Sequence, residues 1–376
     1  MDEFAPQGDC LPLRQALVER IEREGPITFR DFMEMALYHP QHGYYVHRQP
    51  LGRQGDYLTS PEVGPLFAAL VGRQLAEMWE VLGRPHPFQV VEMGPGRGSL
   101  ARDLLAWARR ARPHLFAALR YGLVERSAAL RAAQEQALAC AGLTAHHLPC
   151  LPPEGIEGCL LSNELVDSFP VHRVLVRQGE LWEVYVAWDG QHLREELGPP
   201  STPALADYFH RLGLWPGEGC YAEVNLEALD WMRRVGQALR RGFVLTFDYG
   251  YEAQELYAPW RRQGTLLCFY RHRPGSDPYL RLGWQDMTSH VDFTSLVAAG
   301  REVGLRPLGM ASQAEFLTRL GIQDALRGEG LDMEEALARR RMATELLDPA
   351  GLGRIRVLVQ EKGVGPCRLR GLEGGP

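Results

Sequence analysis

Lysine is almost absent from this chain of 376 residues: Lys362 is the only one, so 40 of the 41 basic residues are arginines. The arginines are not clustered, and we attribute the bias to GC-rich coding. The formal net charge of −6 gives no indication of a surface for polyanions. No apolar run approaches the ~18–20 residues that a membrane span requires, so we expect no transmembrane helix.

Cysteine is sparse and irregularly spaced. The seven cysteines are an odd number and no pair has C-x-x-C spacing, so neither a disulfide framework nor a zinc ribbon is expected. The chain lacks an H-E-x-x-H motif, and we expect no metal site. Its first residues, Met1-Asp2-Glu3, are acidic and unlike a signal peptide. These absences predict a cytoplasmic protein in a reducing compartment.

The pattern of apolar residues predicts three consecutive parts. Residues 1–85 form a helical preface, residues 86–362 form an α/β core, and residues 363–376 form a peripheral, glycine-rich tail. Strands that alternate with helices indicate a parallel sheet. Two segments interrupt the alternation, residues 170–222 and 251–291. Insertions of this kind usually build the substrate side of an α/β site.

Helix signals in the preface are clear. Leu13, Leu17 and Ile21 recur every four residues and predict an amphipathic helix over residues 11–24. A short helix is expected over Phe29–Tyr38. Another should run from Ser60 to Leu82, with the Ser60 side chain accepting from early backbone N–H groups.

The sequence pattern of the core predicts seven strands and one inserted hairpin. The hairpin pairs Val171–Val176 with Trp182–Trp188. The predicted sheet strands are Phe88–Met93, Arg120–Glu125, Thr144–Leu148, Cys159–Asn163, Phe243–Asp248, Leu305–Met310 and Arg354–Gln360.

The first core strand ends in Glu92-Met93-Gly94-Pro95-Gly96-Arg97-Gly98. Glycines let a backbone approach a ligand closely, and the following helix start favours anionic groups. A dinucleotide-binding loop has G-x-G-x-x-G spacing, whereas this loop has G-x-G-x-G and an acid two residues earlier. An ionised Glu92 would repel a pyrophosphate but would favour S-adenosylmethionine, which has no phosphate. A loop that only tightens the turn is the alternative.

Polar residues follow two further strands. Glu125 ends the second strand, where an acid can accept from both ribose hydroxyls, although a solvated helix cap is the alternative. Ser162, Asn163 and Glu164 follow the fourth strand and should face the crevice at its carboxyl end. A helix cap formed by Ser162 or Asn163 is equally compatible with that pattern.

Together these motifs resemble the MidA family of class I S-adenosylmethionine methyltransferases, which includes the mitochondrial complex I assembly factor that methylates arginine. The resemblance covers most of residues 11–322. The similar stretches are Met33–Tyr38, Gly43–Tyr45, Gly55–Glu62, Val91–Gly98, Ser162–Pro170, Asp248–Gly250 and Asp286–Phe293.

The resemblance implies a Rossmann-like, seven-stranded sheet whose last strand is antiparallel. It implies that Gly94, Gly96 and Glu125 contact the cofactor S-adenosyl-L-methionine. It also implies that Gly55, Thr59 and Ser60 fold over the methionine end of the cofactor, unless Ser60 only caps a helix. Glu92 and Asn163 complete the set of expected cofactor-binding residues. The chain shows no mitochondrial presequence, which favours a bacterial cytoplasm, and its C-terminal extension is unusual for the family.

An arginine substrate would require acids near the methyl group, because the guanidinium must lose a proton as the new bond forms. Glu164, Asp167 and Asp248 are the expected catalytic residues. Asp286, His290 and Asp292 are secondary candidates, and Asp292 is expected to cap the helix that begins at Phe293.

Three functions remain open on this reading. The first is a protein arginine methyltransferase that acts on a partner protein, for which a respiratory-complex subunit is one expectation. The second is a small-molecule methyltransferase, and the third is a cofactor-binding assembly factor with little catalysis. No nucleic-acid partner is expected. The sequence does not set the oligomeric state, and a dimer is one expectation.

Overall fold

The structure, a computed structural model, describes residues 8–47, 56, 58–326 and 332–373. The chain forms two compact units. The first unit comprises Met1–Tyr57, Val166–Asp230 and Gly250–Leu296, and the second comprises Leu58–Leu165, Trp231–Tyr249 and Val297–Pro376. The predicted division into domains at residues 1–85, 86–362 and 363–376 stays a prediction. The two compact units have other boundaries, because residues 1–57 belong to the first unit and residues 58–85 to the second.

Strands occur in both units. In the described residues they are β1 (Ile27–Thr28), β2 (Phe88–Met93), β3 (Leu119–Val124), β4 (His146–Leu148), β5 (Ile156–Asn163), β6 (His172–Arg177), β7 (Glu180–Trp188), β8 (Leu193–Gly198), β9 (Tyr221–Val224), β10 (Leu239–Asp248), β11 (Gly250–Tyr251), β12 (Leu267–Tyr270), β13 (Arg273–Gly275), β14 (Asp286–Thr288), β15 (Val291–Asp292), β16 (Arg306–Ser312) and β17 (Arg356–Lys362).

Helices connect most of these strands. They are α1 (Leu11–Glu24), α2 (Phe29–Tyr38), α3 (Tyr44–His47), α4 (Ser60–Val63), α5 (Pro65–Val81), α6 (Ser99–Ala111), α7 (Pro113–Ala118), α8 (Ala128–Cys140), α9 (Ala204–Leu212), α10 (Leu226–Ala238), α11 (Ala253–Leu256), α12 (Phe293–Glu302), α13 (Gln313–Arg319), α14 (Ile322–Leu326) and α15 (Met333–Leu347). Short 3₁₀ helices cover Val166–Ser168 and Leu352–Arg354.

The second unit is built on a seven-stranded sheet with the order β16-β17-β10-β5-β2-β3-β4. Five of these strands, from β10 to β4, pair in parallel, and β17 is antiparallel to both β10 and β16. This is the Rossmann-like arrangement that the resemblance implied, so the predicted fold class is confirmed. The order reverses between β2 and β5, whose carboxyl ends therefore border the crevice where open α/β sheets bind ligands.

Apolar side chains from helices and strands form the core of the second unit. The ring of Phe247 on β10 lies edge-on to Phe67 of α5 and Phe316 of α13, at centroid distances of 5.4 and 5.6 Å. All three rings are fully buried. Such aromatic contacts fix the helices against the sheet, so the strand ends that carry polar residues are held in place.

The expected helix from Ser60 to Leu82 is wrong in two respects. It is divided into α4 and α5 at Gly64, which has a φ of +148° and is followed by a proline. Ser60 is also not the residue that precedes the helix. Thr59 occupies the N-cap position, and the hydroxyl of Ser60 lies 2.8 Å from Oε1 of Gln313, to which it donates.

The first unit contains a five-stranded sheet in which β1, β7, β6 and β9 follow one another and β8 pairs with β7. The predicted hairpin is present as β6 and β7. The preface is not purely helical, because β1 lies within it and pairs with β7. Leu13, Leu17 and Ile21 of α1 are buried, as their spacing predicted.

No helix among the described residues combines the length and the hydropathy that crossing a membrane demands.

Candidate active site

The glycine loop between β2 and α6 adopts a conformation that needs glycine. Gly94, Gly96 and Gly98 have φ values of +66°, +53° and +79°, in the left-handed region where other residues are strained. The amide of Gly94 donates to the carbonyl of Val124 at the end of β3. The loop therefore lies at the carboxyl edge of the sheet with its backbone tied to the neighbouring strand.

Neighbouring protein atoms pack tightly against the glycine loop. A Cβ atom at Gly94 would lie 2.7 Å from Cδ1 of Leu165. A larger residue at this position would displace a side chain of the protein, and not only a ligand. Substitution of Gly94 is consequently a poor test of cofactor contact, because it disturbs the loop as well.

Gln134 of α8 anchors the same loop, and sequence reasoning missed it. Its Nε2 donates to the carbonyl of Gly96 at 2.7 Å, and its Oε1 lies 2.8 Å from Nε2 of His147 on β4. Gln134 is fully buried between Leu130 and Leu138 in the apolar stripe of α8. A glutamine at a position where the helical period calls for an apolar residue is the signal that could have revealed it.

Glu92 points toward a tyrosine. The hydroxyl of Tyr121 on β3 donates to Oε2 of Glu92 at 2.8 Å, and only 3% of Glu92 is exposed. Burial raises the pKa of Glu92 to about 7, although the hydrogen bond from Tyr121 opposes that rise. Much of this carboxyl is therefore neutral near pH 7. Repulsion of a pyrophosphate by Glu92 is consequently weaker than the sequence led us to expect.

Glu125 follows β3 at the same edge of the sheet. Its Oε1 accepts from the backbone amide of Ser127 at 2.8 Å, and the side chain of Ser127 caps α8. Burial raises the pKa of Glu125, and hydrogen bonds from the backbone lower it in part. Ser127 is thus the N-cap of α8, Glu125 holds the amide of Ser127, and ribose binding by Glu125 stays a prediction.

The carboxyl end of β5 holds Asn163 and Glu164. Oε1 of Glu164 accepts from Nδ2 of Asn163 at 3.0 Å and from the backbone amide of Ser60 at 3.2 Å. Glu164 has a φ of +49°, which is a strained conformation for a side chain of this size. Burial raises its pKa to about 8, and the negative charge of Asp248 contributes further.

Asp248 ends β10, the strand that pairs with β5, and is fully buried. Its Oδ2 accepts from the amide of Leu165 at 3.2 Å, and its Oδ1 accepts from the amide of Tyr249 at 2.9 Å. These bonds fix the carboxylate beside the chain that leaves β5. The structure therefore brings Glu164 and Asp248 together, as the sequence predicted from their places at strand ends.

The other acids of the predicted site belong to the first unit. Asp167 lies in the 3₁₀ helix Val166–Ser168, and its carbonyl accepts from the amide of Ser289. Asp286 accepts from the hydroxyl of Tyr45 at 2.7 Å. Asp292 accepts from the amides of Thr294 and Ser295, which confirms that it caps the helix at Phe293.

His290 also lies in the first unit, where its ring is 5.2 Å from that of Tyr251 and its backbone amide donates to Thr265. The catalytic role considered for His290 stays a prediction. Gly55 falls outside the described residues.

Helix α4 adds polar groups beside the glycine loop. Thr59 and Ser60 are buried. Oε1 of Glu62 accepts from the hydroxyl of Ser99, the first residue of α6, at 2.6 Å. This bond joins α4 to the helix that follows the glycine loop, and Thr59, Ser60 and the glycine loop all belong to the second unit.

These residues fit S-adenosylmethionine. The glycine loop exposes backbone without side chains, and carboxyl groups end β3 and β5. Oδ1 of Asn163 is buried and has no hydrogen-bond partner in the part of the chain that the structure describes. A buried acceptor of this kind indicates a missing donor, such as the amino group of a ligand.

Comparison with known proteins supports the same conclusion. Residues 70–311 match the sequence model of a family described as S-adenosyl-L-methionine-dependent methyltransferases. A Drosophila melanogaster protein named protein arginine methyltransferase NDUFAF7 homolog, mitochondrial, is 31% identical, over 94% of this chain and 85% of that protein. Protein arginine methyltransferase NDUFAF7, mitochondrial, from Homo sapiens is 32% identical, over 84% of this chain and 75% of that protein.

The names of these relatives contradict the predicted cytoplasmic location, because both are described as mitochondrial. The acidic first residues misled that prediction, since they say nothing about where relatives of the chain reside.

A solved structure completes the comparison. It comes from Burkholderia thailandensis, has S-adenosyl-homocysteine bound, and superimposes with a TM-score of 0.88 at 32% identity over 96% of this chain and 94% of that one. S-adenosyl-homocysteine is what the cofactor becomes after it has donated its methyl group. The sheet order, the glycine loop and these matches lead to one conclusion: the chain belongs to this family of S-adenosyl-L-methionine-dependent methyltransferases, the family that its motifs resembled.

Proposed function

We propose that this methyltransferase modifies arginine side chains of a partner protein, and that Glu164 and Asp248 hold the guanidinium. The observation that supports the proposal is the pair of carboxyl groups at the adjacent ends of β5 and β10, of which Asp248 is fully buried and Glu164 is half-buried. Two acids placed together suit a planar cation better than a neutral or anionic substrate. S-adenosylmethionine supplies an electrophilic methyl group when it is bound.

Glu164 would perform the proton chemistry. Its hydrogen bonds to the Ser60 amide and to Asn163 both use Oε1, so we assign Oε2 to the substrate. Without a substrate its pKa of about 8 keeps much of the carboxyl protonated near neutral pH. An adjacent guanidinium would lower that pKa through its positive charge and would pair with the carboxylate. Oε2 can then accept the proton that the guanidinium must lose as the carbon–nitrogen bond forms.

Asp248 would supply charge and position. Both of its oxygens accept backbone N–H groups, at 2.9 and 3.2 Å, so the carboxylate cannot rotate freely. A fixed negative charge orients a guanidinium before reaction, which removes part of the entropic cost of the step. A catalytic role for Asp167 stays a prediction. Asp167 belongs to the first unit, whereas Glu164 and Asp248 belong to the second.

Cofactor binding is assigned to residues at the edge of the sheet in the second unit. We propose contacts from Thr59, Ser60, Gly94 and Gly96, with Gly55 as a further expectation. We assign hydrogen bonds to Glu125 and to Oδ1 of Asn163. We also assign Glu92 to the cofactor site, where the hydroxyl of Tyr121 fixes its carboxyl near the end of β2.

The names of the relatives support a protein substrate, since they describe protein arginine methyltransferases. The identity of that protein, including the respiratory-complex subunit expected from the resemblance, stays a prediction. So does a dimeric assembly.

Labelling in a cell lysate tests the proposal. The purified protein is incubated with S-adenosylmethionine carrying a labelled methyl group and with a lysate from cells that lack the protein, and labelled peptides are identified by mass spectrometry. We expect label on arginine. Label on lysine or only on small molecules would contradict the arginine assignment, and cofactor binding without any label would favour an assembly role.

A further inference from the structure

The hairpin formed by β12 and β13 in the first unit has an unusual tip. Tyr270 pairs with Arg273, so Arg271 and His272 form a two-residue turn. Both have positive φ values, +51° and +60°. A turn of this kind is normally built from Asn-Gly or Asp-Gly, because those residues adopt positive φ at little cost. Here two large basic side chains occupy the strained positions.

A buried aspartate holds this tip in place. Oδ1 of Asp56 accepts from the amide of Arg271 at 2.8 Å, and the carbonyl of Asp56 accepts from the amide of His272 at 2.8 Å. The other carboxylate oxygen accepts from the hydroxyl of Tyr44 at 2.8 Å. Asp56 is 1% exposed. These bonds fix the backbone of the turn, and the side chains of Arg271 and His272 are exposed.

The exposed surface around the tip is basic. Arg271, His272 and Arg273 are all exposed. Arg281 also has a positive φ, +51°, and its guanidinium lies 4.9 Å from the ring centre of Tyr270. Residues 264–285 contain these four basic side chains and a single exposed acid, Asp277. None of the three arginines forms an ion pair with another residue that the structure describes.

Strained backbone positions persist only where the surrounding structure holds them, and they are concentrated at functional sites. Glycine at positions 271 and 272 would relieve the strain but would remove the side chains of Arg271 and His272. We propose that this hairpin, Tyr270–Arg273 with Arg281, is a docking surface for an acidic segment of the protein substrate. The identification of the partner as a substrate rests on the proposed function, whereas the preference for carboxylates follows from the charges.

The features of the hairpin favour an acidic peptide over nucleic acid. Guanidinium groups of Arg271 and Arg281 already lie over the ring of Tyr270, at 5.6 and 4.9 Å, so the ring is not an open platform for a base. The chain as a whole carries a net charge of −6, which opposes a long polyanion but not a short acidic segment.

A double variant removes the side chains at the tip while the hairpin keeps its fold. Arg271→Asn with His272→Gly converts the tip to the Asn-Gly sequence that this turn prefers, so the hairpin should form at least as well. Arg273→Gln provides a second variant on the neighbouring strand. Arg177→Asn is the matched control, because Arg177 is an exposed arginine at the tip of another hairpin of the same unit, the one formed by β6 and β7. Thermal unfolding verifies that each variant is folded.

The probe is a fluorescently labelled peptide of alternating glutamate and glycine with one central arginine, and its counterpart has glutamine in place of glutamate. Fluorescence anisotropy on the full chain should show salt-sensitive binding of the acidic peptide. The double variant should bind it about threefold more weakly, as expected for the loss of the one exposed charge pair that Arg271 would form. Arg177→Asn should bind it as the unaltered protein does.

Three results would overturn the proposal. They are equal binding of both peptides, unchanged binding by the double variant, and tighter hairpin-dependent binding of a single-stranded oligonucleotide of the same charge. Methyl transfer is measured separately with an arginine peptide that lacks acidic residues. Hairpin-dependent binding without transfer to any arginine peptide would support the docking surface and count against the proposed function.

Discussion

The buried carboxyl of Glu92 offers a prediction whose size follows from the structure. Its pKa of about 7, against an ordinary value of 4.5, means that the folded protein holds a proton there that the unfolded chain releases. Stability from this group is fully present below about pH 4.5 and is lost as the pH rises to about 7. A difference of 2.5 pKa units corresponds to about 3 kcal/mol.

Glu92→Gln removes this titration but keeps an oxygen that can accept from Tyr121. We expect the variant and the unaltered protein to have similar free energies of unfolding near pH 4.5. At pH 8 the variant should be more stable by about 3 kcal/mol. Urea denaturation over this pH range measures the difference. Glu157→Gln, in which the lost carboxylate pairs with Arg241, should show no such gain. A constant difference between Glu92→Gln and the unaltered protein across the range would refute the reasoning.

Two further predictions concern cofactor binding, and calorimetry with S-adenosylmethionine measures both. Gln134→Leu leaves the carbonyl of Gly96 without its hydrogen-bond donor, a loss of roughly 1–2 kcal/mol. The dissociation constant for the cofactor should therefore rise about tenfold, while kcat at saturating cofactor changes little. An unaltered dissociation constant would show that Gln134 only packs against the loop. Glu125→Ala should weaken binding by roughly 2–4 kcal/mol if the carboxylate accepts from both ribose hydroxyls, and equal affinity would limit Glu125 to its bond with the amide of Ser127.

The sheet could be predicted from the sequence because its strands are short, apolar and separated by helical patterns. Phe88–Met93 was predicted with its observed bounds, and the other six strands differ by a few residues at their ends. Local signals sufficed there, since burial and strand propensity act on the same residues. The break at Gly64 was missed although Gly64-Pro65 is visible in the sequence, because the apolar stripe continues across it.

The contacts that could not be predicted, in the site and in the hairpin of the first unit, join distant parts of the chain. Gln134 meets Gly96, 38 residues away, and Asp56 meets Arg271, 215 residues away. No spacing rule indicates such pairs in a single sequence. Ser60 was misassigned for the same reason, because its hydroxyl bonds to Gln313 and not to its own helix. Glu164 and Asp248 were predicted correctly as neighbours because parallel strands end at one edge.

The most direct test of the account is methyl transfer by Glu164→Gln in a single turnover. The substrate is an arginine peptide, and the matched control is Glu157→Gln, at the opposite end of β5. We predict that Glu164→Gln slows transfer at least ~10²-fold while its affinity for S-adenosylmethionine stays the same. The control should transfer at the normal rate. Normal transfer by Glu164→Gln, or a loss of rate that only follows a loss of cofactor affinity, would contradict the assignment of the guanidinium to this carboxyl pair.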